Sequence, residues 1–333
     1  WKKLDSSDAL KTAIALSDRE TIRVLTKDTS DKETLAIAGA ATGSFAKLNA
    51  LYDSWAKIDD VAPIKFHGKS IQDVFKSIAE AKASERSFSE EPLISVVMTV
   101  FDGPLDLLKL SLKSILNQTF KNVEIILVDD CSSSEISSKY EEAVSEIKNH
   151  SYFRLPKNLG PYLGRNFALS KARGEFIAIQ DADDFSHPER FAKQIAVLKS
   201  NSYLRATTSP NLRFDRNGNI QLEHGLALRG DGTMATMFRS TVFDEIGAFA
   251  SVRSRGDVEY RERIIKAFGQ NAFLKTECPL QFCYAAASTL SQNVARERAQ
   301  HLADFRTAVD AQSWSLLGGA PLGELPIPTL LRP

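Results

Sequence analysis

Short apolar runs and segments of helical periodicity alternate along the middle of the chain. The apolar runs lie at residues 94–101, which are rich in β-branched residues as strands are, and at 123–128, 152–155 and 176–179. Apolar residues recur at helical spacing at residues 106–117 and 161–171, and again after Pro188. Strands that alternate with helices predict an α/β fold, with a mostly parallel sheet flanked by helices.

Residues 5–87 have a different texture, rich in Ala, Lys, Asp, Glu and Ser. Apolar residues such as Val74 and Ile78 recur at helical spacing, and Ser70 followed by Asp73 is a helix start of the capping type. The pattern predicts an N-terminal all-helical extension of roughly three to five packed helices.

A polar segment at residues 84–92, which ends in Glu-Glu-Pro, has the composition of a linker. We therefore divide the chain into a helical N-terminal extension at residues 1–88, a sheet-containing domain at 92–290, and a C-terminal helix and tail at 291–333. Because the sequence starts at Trp1 rather than Met, we expect it to be a piece of a longer polypeptide.

The overall charge is balanced, since 42 Lys and Arg residues face 42 Asp and Glu residues. Such a chain has no general field for nucleic acid, so we expect no nucleic-acid partner. Its cysteines, Cys131, Cys278 and Cys283, form no CxxC pair, which disfavours a disulfide framework or a zinc ribbon. The longest apolar stretches reach about ten residues, short of the roughly 20 of a membrane-spanning helix. We expect a cytoplasmic protein, free or peripheral at the inner face of the cell membrane.

Two acidic clusters follow predicted strands, Asp129 with Asp130 and Asp181 with Asp183 and Asp184. Parallel strands carry ligands at their carboxyl ends, and carboxylates crowded there repel one another. A divalent cation relieves this repulsion, and Mg²⁺ or Mn²⁺ is commonly shared between carboxylates and substrate phosphates. The other interpretation is an Asp-rich turn before the next helix. Ser186 and Glu189 stand at capping-box spacing at that helix start.

Several blocks of sequence, taken together and in this order, resemble a family 2 glycosyltransferase of the bacterial cell-surface polysaccharide type. They lie at residues 94–102, 114–119, 124–132, 158–166, 174–184 and 237–249. The resemblance covers about residues 92–290. It implies the GT-A nucleotide-diphospho-sugar transferase fold, with a DxD motif at Asp181-Ala182-Asp183.

The resemblance also implies a nucleotide site, made of Thr99, Val100, Phe101, Asp130, Asn158, Gly160, Arg165 and Asp181. In this site Asp130 would accept a hydrogen bond from the base, Asp181 would face the ribose, and Asp183 would bind Mn²⁺ or Mg²⁺. Each residue has a structural alternative. Asp130 could cap the next helix, Gly160 could serve a turn, and Arg165 could belong to a surface ion pair.

The sequence Arg255-Gly256-Asp257-Val258-Glu259-Tyr260 resembles the family's late acidic motif. The resemblance implies a catalytic base for the acceptor hydroxyl, for which we choose Asp257, with Glu259 in reserve. The alternative is a helix whose first turn carries acids because the helix dipole favours them.

One departure from the family pattern concerns a histidine that often helps to bind the metal after the last strand. The comparable stretch here, at residues 284–291, has none. None of the histidines, at positions 67, 150, 187, 224 and 301, forms a ligand pair such as HxxxH. The metal would therefore rest on Asp183, phosphates and water, or activity would be lost.

These features favour an inverting glycosyltransferase that uses a nucleoside-diphosphate sugar, UDP-linked by default. The acceptor would be a hydroxyl of a glycan or of a lipid-linked glycan in cell-surface polysaccharide synthesis. A nucleotidyltransferase would need a Gly-rich phosphate loop after the first strand, and residues 99–104 contain none. A non-catalytic nucleotide-sugar-binding or scaffold module of a larger protein is the other alternative.

Overall fold

The computed structural model describes residues 32–41, 44–83, 91–222, 227–252 and 254–285. The helices are α1 (Lys32–Ala41), α2 (Ala46–Asp59), α3 (Ile71–Ala79), α4 (Leu105–Leu116), α5 (Ser134–Ser145), α6 (Pro161–Leu169), α7 (Arg190–Ser200), α8 (Thr241–Ile246) and α9 (Gly256–Phe268). The strands are β1 (Ile94–Val100), β2 (Val123–Asp129), β3 (His150–Arg154), β4 (Phe176–Ile179), β5 (Phe185–Ser186), β6 (Ala206–Thr208), β7 (Asn211–Phe214), β8 (Ile220–Gln221), β9 (Met237–Arg239), β10 (Phe273–Lys275) and β11 (Gln281–Tyr284). The predicted tail at 291–333 and residues 84–90 of the predicted linker lie outside the described residues.

The main sheet has seven strands in the order β10-β6-β9-β4-β1-β2-β3. Strands β4, β1, β2 and β3 run parallel, and β9 is antiparallel to both β4 and β6. The prediction of a mostly parallel sheet flanked by helices is therefore confirmed. The boundaries of β4 agree with the predicted run, and β3 begins two residues before its predicted start.

Both faces of the main sheet are covered at its centre, which explains why β1, β2 and β4 are mostly apolar. Along β1, Val96 and Met98 pack into one core with residues of α4, α5 and α7. Val97 points to the opposite face and packs with residues of α6, α8 and α9. Because successive side chains of a strand point to opposite faces, the single sheet has one hydrophobic core on each side.

A second sheet, which the sequence pattern did not predict, has four strands in the order β5-β11-β7-β8. Its strands contain only two to four residues each, too few to show a periodicity. It lies on the same side of the molecule as the N-terminal helices. Residues of this sheet and of the N-terminal helices together form a hydrophobic cluster, the third in the molecule after the cores on the two faces of the main sheet.

Helices α1 to α3 lie between residues 32 and 79, and residues of all three share a core with the second sheet. The ring of Phe66 contacts Tyr52, Phe214 and Phe282, with centroids 5.2, 5.7 and 5.7 Å away. Since Phe214 and Phe282 belong to β7 and β11, one aromatic cluster joins the helices to the sheet. The helical segment is therefore built into the body of the molecule.

Polar contacts at the end of α2 strengthen this junction. The Asp59 carboxylate accepts hydrogen bonds from the backbone N–H groups of Glu277 and Cys278 at 2.9 and 2.6 Å, and lies 3.2 Å from the Lys193 ammonium. The Tyr52 hydroxyl donates to the Pro279 carbonyl at 2.7 Å. These bonds tie the helices to the segment that leads into β11.

The two predicted helix starts have different outcomes. Ser70 caps α3, because its hydroxyl accepts the backbone N–H of Asp73 at 3.1 Å. The capping box at Ser186 is wrong, since Ser186 lies in β5 and α7 begins at Arg190. Glu189 instead accepts the backbone N–H of Ala62 at 2.5 Å and so contributes to the junction with the helices.

Cys131, Cys278 and Cys283 form no disulfide bond with one another. Within the described residues, no helix combines the length and the apolarity that crossing a bilayer requires.

The aromatic junction yields a stability prediction. Phe66 is buried, so Phe66→Ala should lower the free energy of unfolding by about 3–5 kcal/mol, through lost apolar contacts and a residual cavity. As a control, Ile58→Ala on α2 removes a side chain that is 65% exposed and should change the value by less than about 0.5 kcal/mol.

Urea unfolding, followed by both tryptophan fluorescence and far-UV circular dichroism, measures the effect. We expect one transition, shifted in Phe66→Ala and unshifted in Ile58→Ala. An early, separate loss of helical signal in the wild type would contradict a shared core.

Candidate active site

A cavity of about 880 Å³ opens at the carboxyl ends of β1, β2 and β4. The strand register explains this position, because Val100 at the end of β1 pairs with Asp129 at the end of β2. The cavity brings together most of the candidate residues, namely Thr99, Val100, Phe101, Asp130, Asn158, Gly160, Arg165, Asp181, Asp183 and Asp257. Glu259 is the candidate that does not line it.

The acidic loop after β4 rests on a buried polar network. The Gln180 amide donates to the carbonyl of Asp184 at 2.8 Å, and its oxygen accepts the Arg190 guanidinium at 2.7 Å and the Ser186 hydroxyl at 2.7 Å. Arg190 is fully buried and also donates to the Ile179 carbonyl at 2.8 Å. Burial lowers the pKa of Arg190 to about 10, which leaves it charged at neutral pH.

The three carboxylates of the loop have different surroundings. Asp181 accepts a hydrogen bond from Arg165, at 2.7 Å. Asp184 is buried and accepts the Gln281 amide at 2.7 Å and the Cys283 thiol at 3.1 Å. Burial, followed by the charges of Asp183 and Asp181, raises the pKa of Asp184 well above its ordinary value. The three acids of the loop thus differ in their burial and in their hydrogen-bond partners.

Asp183 lines the cavity between these two neighbours. Burial and the charge of Asp181 raise the pKa of Asp183 to about 6, because nearby negative charge disfavours its ionised form. A bound cation would favour that ionised form. Among the described residues, no three His, Cys, Asp or Glu side chains converge as a complete metal site.

Asp130 fastens the end of β2 to the start of α6. Its carboxylate oxygens accept the backbone N–H groups of Leu159 and Gly160, each at 2.7 Å. Gly160 has a φ of 89°, which a side chain would strain, and Pro161 then begins the helix. Gly160 thus serves a turn, and the two bonds of Asp130 go to the start of α6 rather than to α5, the next helix along the chain.

Arg165 is a buried cation at the base of the cavity, with 5% of its side chain exposed. Its guanidinium forms the ion pair with Asp181 and lies over the Tyr162 ring, 4.7 Å from the centroid. The interpretation of a surface ion pair is thus wrong, because the pair stands where the cavity meets the core.

Asp257 lies in the first turn of α9 and faces the cavity. Its carboxylate accepts the Tyr162 hydroxyl at 2.6 Å and the Thr233 hydroxyl. A side chain at Gly256 would come within 2.8 Å of the Tyr162 ring, so glycine permits this contact. The helix dipole favours an acid here, and the cavity makes that acid accessible to a substrate.

The position of Glu259 shows that this residue, the reserve choice for the base, was wrongly assigned. It is fully buried, and both of its oxygens accept the Arg263 guanidinium, at 2.7 and 2.6 Å. Arg263 donates further to the carbonyls of Ile246 and Ala248. Glu259 therefore holds α9 against the preceding segment and does not reach the cavity.

Several residues that line the cavity, among them Arg213 and Arg229, lie in a part of the sequence in which no motif was found. Arg213 lies on β7, and its positive charge opposes the rise in the pKa values of Asp183 and Asp184. Arg229 lies over the Trp55 ring, 4.6 Å from its centroid, so the rim touches the N-terminal helices. Only tertiary structure brings these residues to the site. Of the stretch that lacks the histidine, residues 286–291 lie outside the described part of the chain.

The chain is similar to known glycosyltransferases over its central part. The sequence model of Glycosyl transferase family 2 matches residues 95–260. An uncharacterized glycosyltransferase of Methanocaldococcus jannaschii is 37% identical over 138 residues, which are 40% of this chain and 47% of that protein. An uncharacterized glycosyltransferase of Haemophilus influenzae is 34% identical over 110 residues, 33% of this chain and 44% of that protein. The matches thus span less than half of these relatives' length.

The fold is similar to that of solved glycosyltransferase structures. The mannosyltransferase PcManGT from Pyrobaculum calidifontis, in complex with GDP-Man and Mn²⁺, has a TM-score of 0.50 at 16% identity. That match covers 84% of this chain and 76% of the other. GalNAc-T7 with UDP, GalNAc and Mn²⁺ has a TM-score of 0.52 at 15% identity, covering 60% and 45%. Residues 95–260 of the chain belong to glycosyl transferase family 2 and lie within a GT-A fold.

Proposed function

We propose that the protein is an inverting glycosyltransferase that transfers a sugar from a nucleoside-diphosphate sugar to a hydroxyl of a glycan or lipid-linked acceptor. The single observation that carries the proposal is the cavity that holds both the acidic loop of Asp181 to Asp184 and the carboxylate of Asp257. A transfer reaction needs these two elements together, one to bind the diphosphate and one to accept a proton.

The donor would bind with its nucleotide at the ends of β1 and β2. Thr99, Val100 and Phe101 lie there on one side and Asp130 on the other, and the half-exposed Phe101 ring offers a face for a base. A UDP-linked sugar is our proposal for the donor. The two solved neighbours were determined with UDP and with GDP-Man, so both nucleotides belong in a test.

The metal would be Mn²⁺ or Mg²⁺, with Asp183 as its protein ligand. A hard divalent cation prefers oxygen ligands and completes its coordination with phosphates and water. The raised pKa of Asp183 supports this assignment, because burial and the charge of Asp181 both disfavour the ionised carboxylate, which a cation would stabilise. When bound, the metal would stabilise the negative charge of the departing nucleoside diphosphate. Both solved neighbours contain Mn²⁺.

In the reaction, the acceptor oxygen would attack the anomeric carbon as the bond from that carbon to the phosphate oxygen breaks. The proton of the acceptor hydroxyl would pass to Asp257, and the electron pair of the broken bond would leave with the nucleoside diphosphate. Attack from the side opposite the leaving group inverts the anomeric configuration. Asp257 supports this role because it lines the same cavity as the acidic loop.

We also propose that the protein acts in cell-surface polysaccharide synthesis, in the cytoplasm or peripherally at the inner face of the membrane. The other candidate is a non-catalytic nucleotide-sugar-binding module. One observation favours this second candidate. Asp257 accepts two hydrogen bonds from protein hydroxyls, which is also the pattern of a carboxylate with a structural role. Release of nucleoside diphosphate from a sugar nucleotide separates the two candidates.

Nucleotide binding should stabilise the protein, and part of the gain should require both Mn²⁺ and Asp183. A ligand at about 100 times its Kd adds about 2.7 kcal/mol to the free energy of unfolding. Thermal shifts with UDP, GDP and dTDP, each with and without Mn²⁺, would measure this. We expect one nucleotide to give the largest shift.

The variant Asp183→Ala should lose the Mn²⁺-dependent part of that shift. Asp244→Ala is the matched control, since Asp244 is an exposed acid on α8 outside the cavity, and it should respond as the wild type does. An undiminished Mn²⁺-dependent shift in Asp183→Ala would show that the metal binds elsewhere.

The variant Asp257→Asn should bind nucleotide normally and lose activity. The amide cannot accept the acceptor's proton, and loss of a positioned base costs about 10² to 10⁴ in rate. The measurement is nucleoside diphosphate release, with Asp244→Asn as the control of unchanged activity. A rate for Asp257→Asn within about threefold of the wild type would sink the assignment of the base.

A further inference from the structure

We infer that Tyr162 and Thr233 are positioning residues for the Asp257 carboxylate, and that Arg165 joins this group to the acidic loop. The inference rests on the proposed transferase function and assigns a role to Tyr162 and Thr233, which the sequence did not single out. Its basis is a continuous set of contacts from Asp181 through Arg165 and Tyr162 to Asp257.

The two hydroxyls hold the carboxylate at both of its oxygens. Tyr162 donates to Oδ1 at 2.6 Å, and Thr233 donates to Oδ2. One donor on each oxygen opposes rotation of the carboxylate about its terminal bond. Each oxygen can accept a further hydrogen bond, so a substrate hydroxyl can still reach it.

Tyr162 can act only as the donor in its contact with Asp257. Burial and then the charge of Asp257 raise the pKa of Tyr162 well above its ordinary value, so the hydroxyl keeps its proton. Tyr162 is therefore the donor in this bond, and an oxygen of Asp257 is the acceptor.

The Tyr162 ring is itself fixed on several sides. The Arg165 guanidinium lies 4.7 Å from its centroid, and the Phe249 ring lies 5.8 Å away. Gly256 lies against the ring, since a Cβ at that position would be 2.8 Å from a ring carbon. With only 4% of Tyr162 exposed, its hydroxyl has little freedom to move.

Arg165 links this ring to the acidic loop. It is buried, and its guanidinium donates to Asp181 at 2.7 Å while lying over the Tyr162 ring. Attraction between a cation and an aromatic ring is strongest where water is excluded. The loop that would bind the diphosphate and the carboxylate that would accept the proton thus belong to one connected unit.

Thr233 approaches the carboxylate from a separate segment. It begins a 3₁₀ turn, Thr233–Ala235, which follows Gly232 at a φ of 64°. A Cβ at Gly232 would lie 1.6 Å from the Ser209 carbonyl oxygen, so only glycine fits. The Thr236 hydroxyl donates to the Thr233 carbonyl at 2.6 Å and closes the turn. The position of the second donor is therefore also fixed by the backbone.

Fixed positions matter because proton transfer from an attacking hydroxyl depends on the placement of the base. A displacement of about 1 Å can cost about 10²-fold in rate. Removal of the Tyr162 hydroxyl should release one carboxylate oxygen and leave the ring, Arg165 and Asp181 in place. The loss should therefore fall on kcat rather than on donor binding.

The test compares Tyr162→Phe with Tyr260→Phe. The Tyr260 hydroxyl is buried on the same helix as Asp257 and donates to the Gly247 carbonyl at 2.7 Å, away from the cavity. Both variants lose one buried tyrosine hydroxyl, so melting temperatures show whether their losses of stability are comparable. Activity is nucleoside diphosphate release with Mn²⁺ and water as the acceptor. The substrate is whichever of UDP-glucose, UDP-GlcNAc and GDP-mannose the wild type turns over fastest.

We expect Tyr162→Phe to lower kcat by about 10- to 100-fold, with the donor KM within about twofold of the wild type. Tyr260→Phe should keep kcat within about twofold. Thr233→Val should lose about 10-fold in kcat, and Thr233→Ser, which retains a hydroxyl, should recover most of it.

The inference is overturned if kcat of Tyr162→Phe equals that of Tyr260→Phe, or if its only change is a raised donor KM. It is also overturned if Thr233→Ser is as slow as Thr233→Val. A wild type that binds nucleotide with Mn²⁺ and releases no diphosphate would instead overturn the proposed function, and the positioning role with it.

Discussion

Repulsion among carboxylates at one edge of the sheet is the constraint around which this structure is arranged. Asp181, Asp183 and Asp184 follow one buried strand, and adjacent negative charges in a poorly hydrated place are costly unless each is compensated. The protein compensates two of them itself. Arg165 pairs with Asp181 at the cavity floor, and Gln281 donates to Asp184. Burial and the charges of neighbouring acids nevertheless raise the pKa values of both Asp183 and Asp184.

The same constraint explains the buried polar residues behind the loop. Gln180 is bonded to the Asp184 carbonyl, and Arg190 holds Gln180 through its side-chain oxygen. Arg190 meets only neutral oxygens among the bonds described, yet the charge of Asp184 lies near enough to oppose the fall in its pKa. A buried cation that donates several hydrogen bonds makes a rigid support. The shape of the acidic loop is thus fixed from the core side and leaves the cavity side open.

The N-terminal helical segment also supports the site, although its composition had set it apart as an extension. His187, next to the acidic loop, contacts the Ala62 carbonyl through Nε2 at 3.0 Å and accepts the Glu189 N–H at Nδ1. Burial lowers the pKa of His187 to about 4, so it is neutral and Nε2 carries the proton. Arg229 on the cavity rim lies over Trp55 of α2. The helices therefore brace the site at two points.

The sequence predicted those parts of the fold in which the local pattern is long enough to be read. Strands β1, β2 and β4 are apolar on both faces, and the acids at their ends mark the cavity edge. The short strands β5, β6, β7 and β11 pair with segments distant in sequence, which no local pattern records, and β8 is a two-residue strand in a hairpin with β7. Arg190 was missed for a related reason, because the sequence does not distinguish a buried arginine from a surface one.

The two acids of α9 show how helical geometry separates neighbours with the same chemistry. Residues two apart on an α-helix are related by a rotation of about 200°, so their side chains point to nearly opposite sides of the helix. Asp257 and Glu259 therefore cannot both face the cavity. Glu259 gives both oxygens to Arg263, and burial nevertheless raises its pKa. Asp257 is held by two neutral hydroxyls, each of which takes one lone pair and adds no opposing charge. An arginine partner would neutralise the very charge that a base needs to attract a proton. Neutral donors fix a carboxylate without that loss, and this difference suits Asp257 for chemistry and Glu259 for holding the fold.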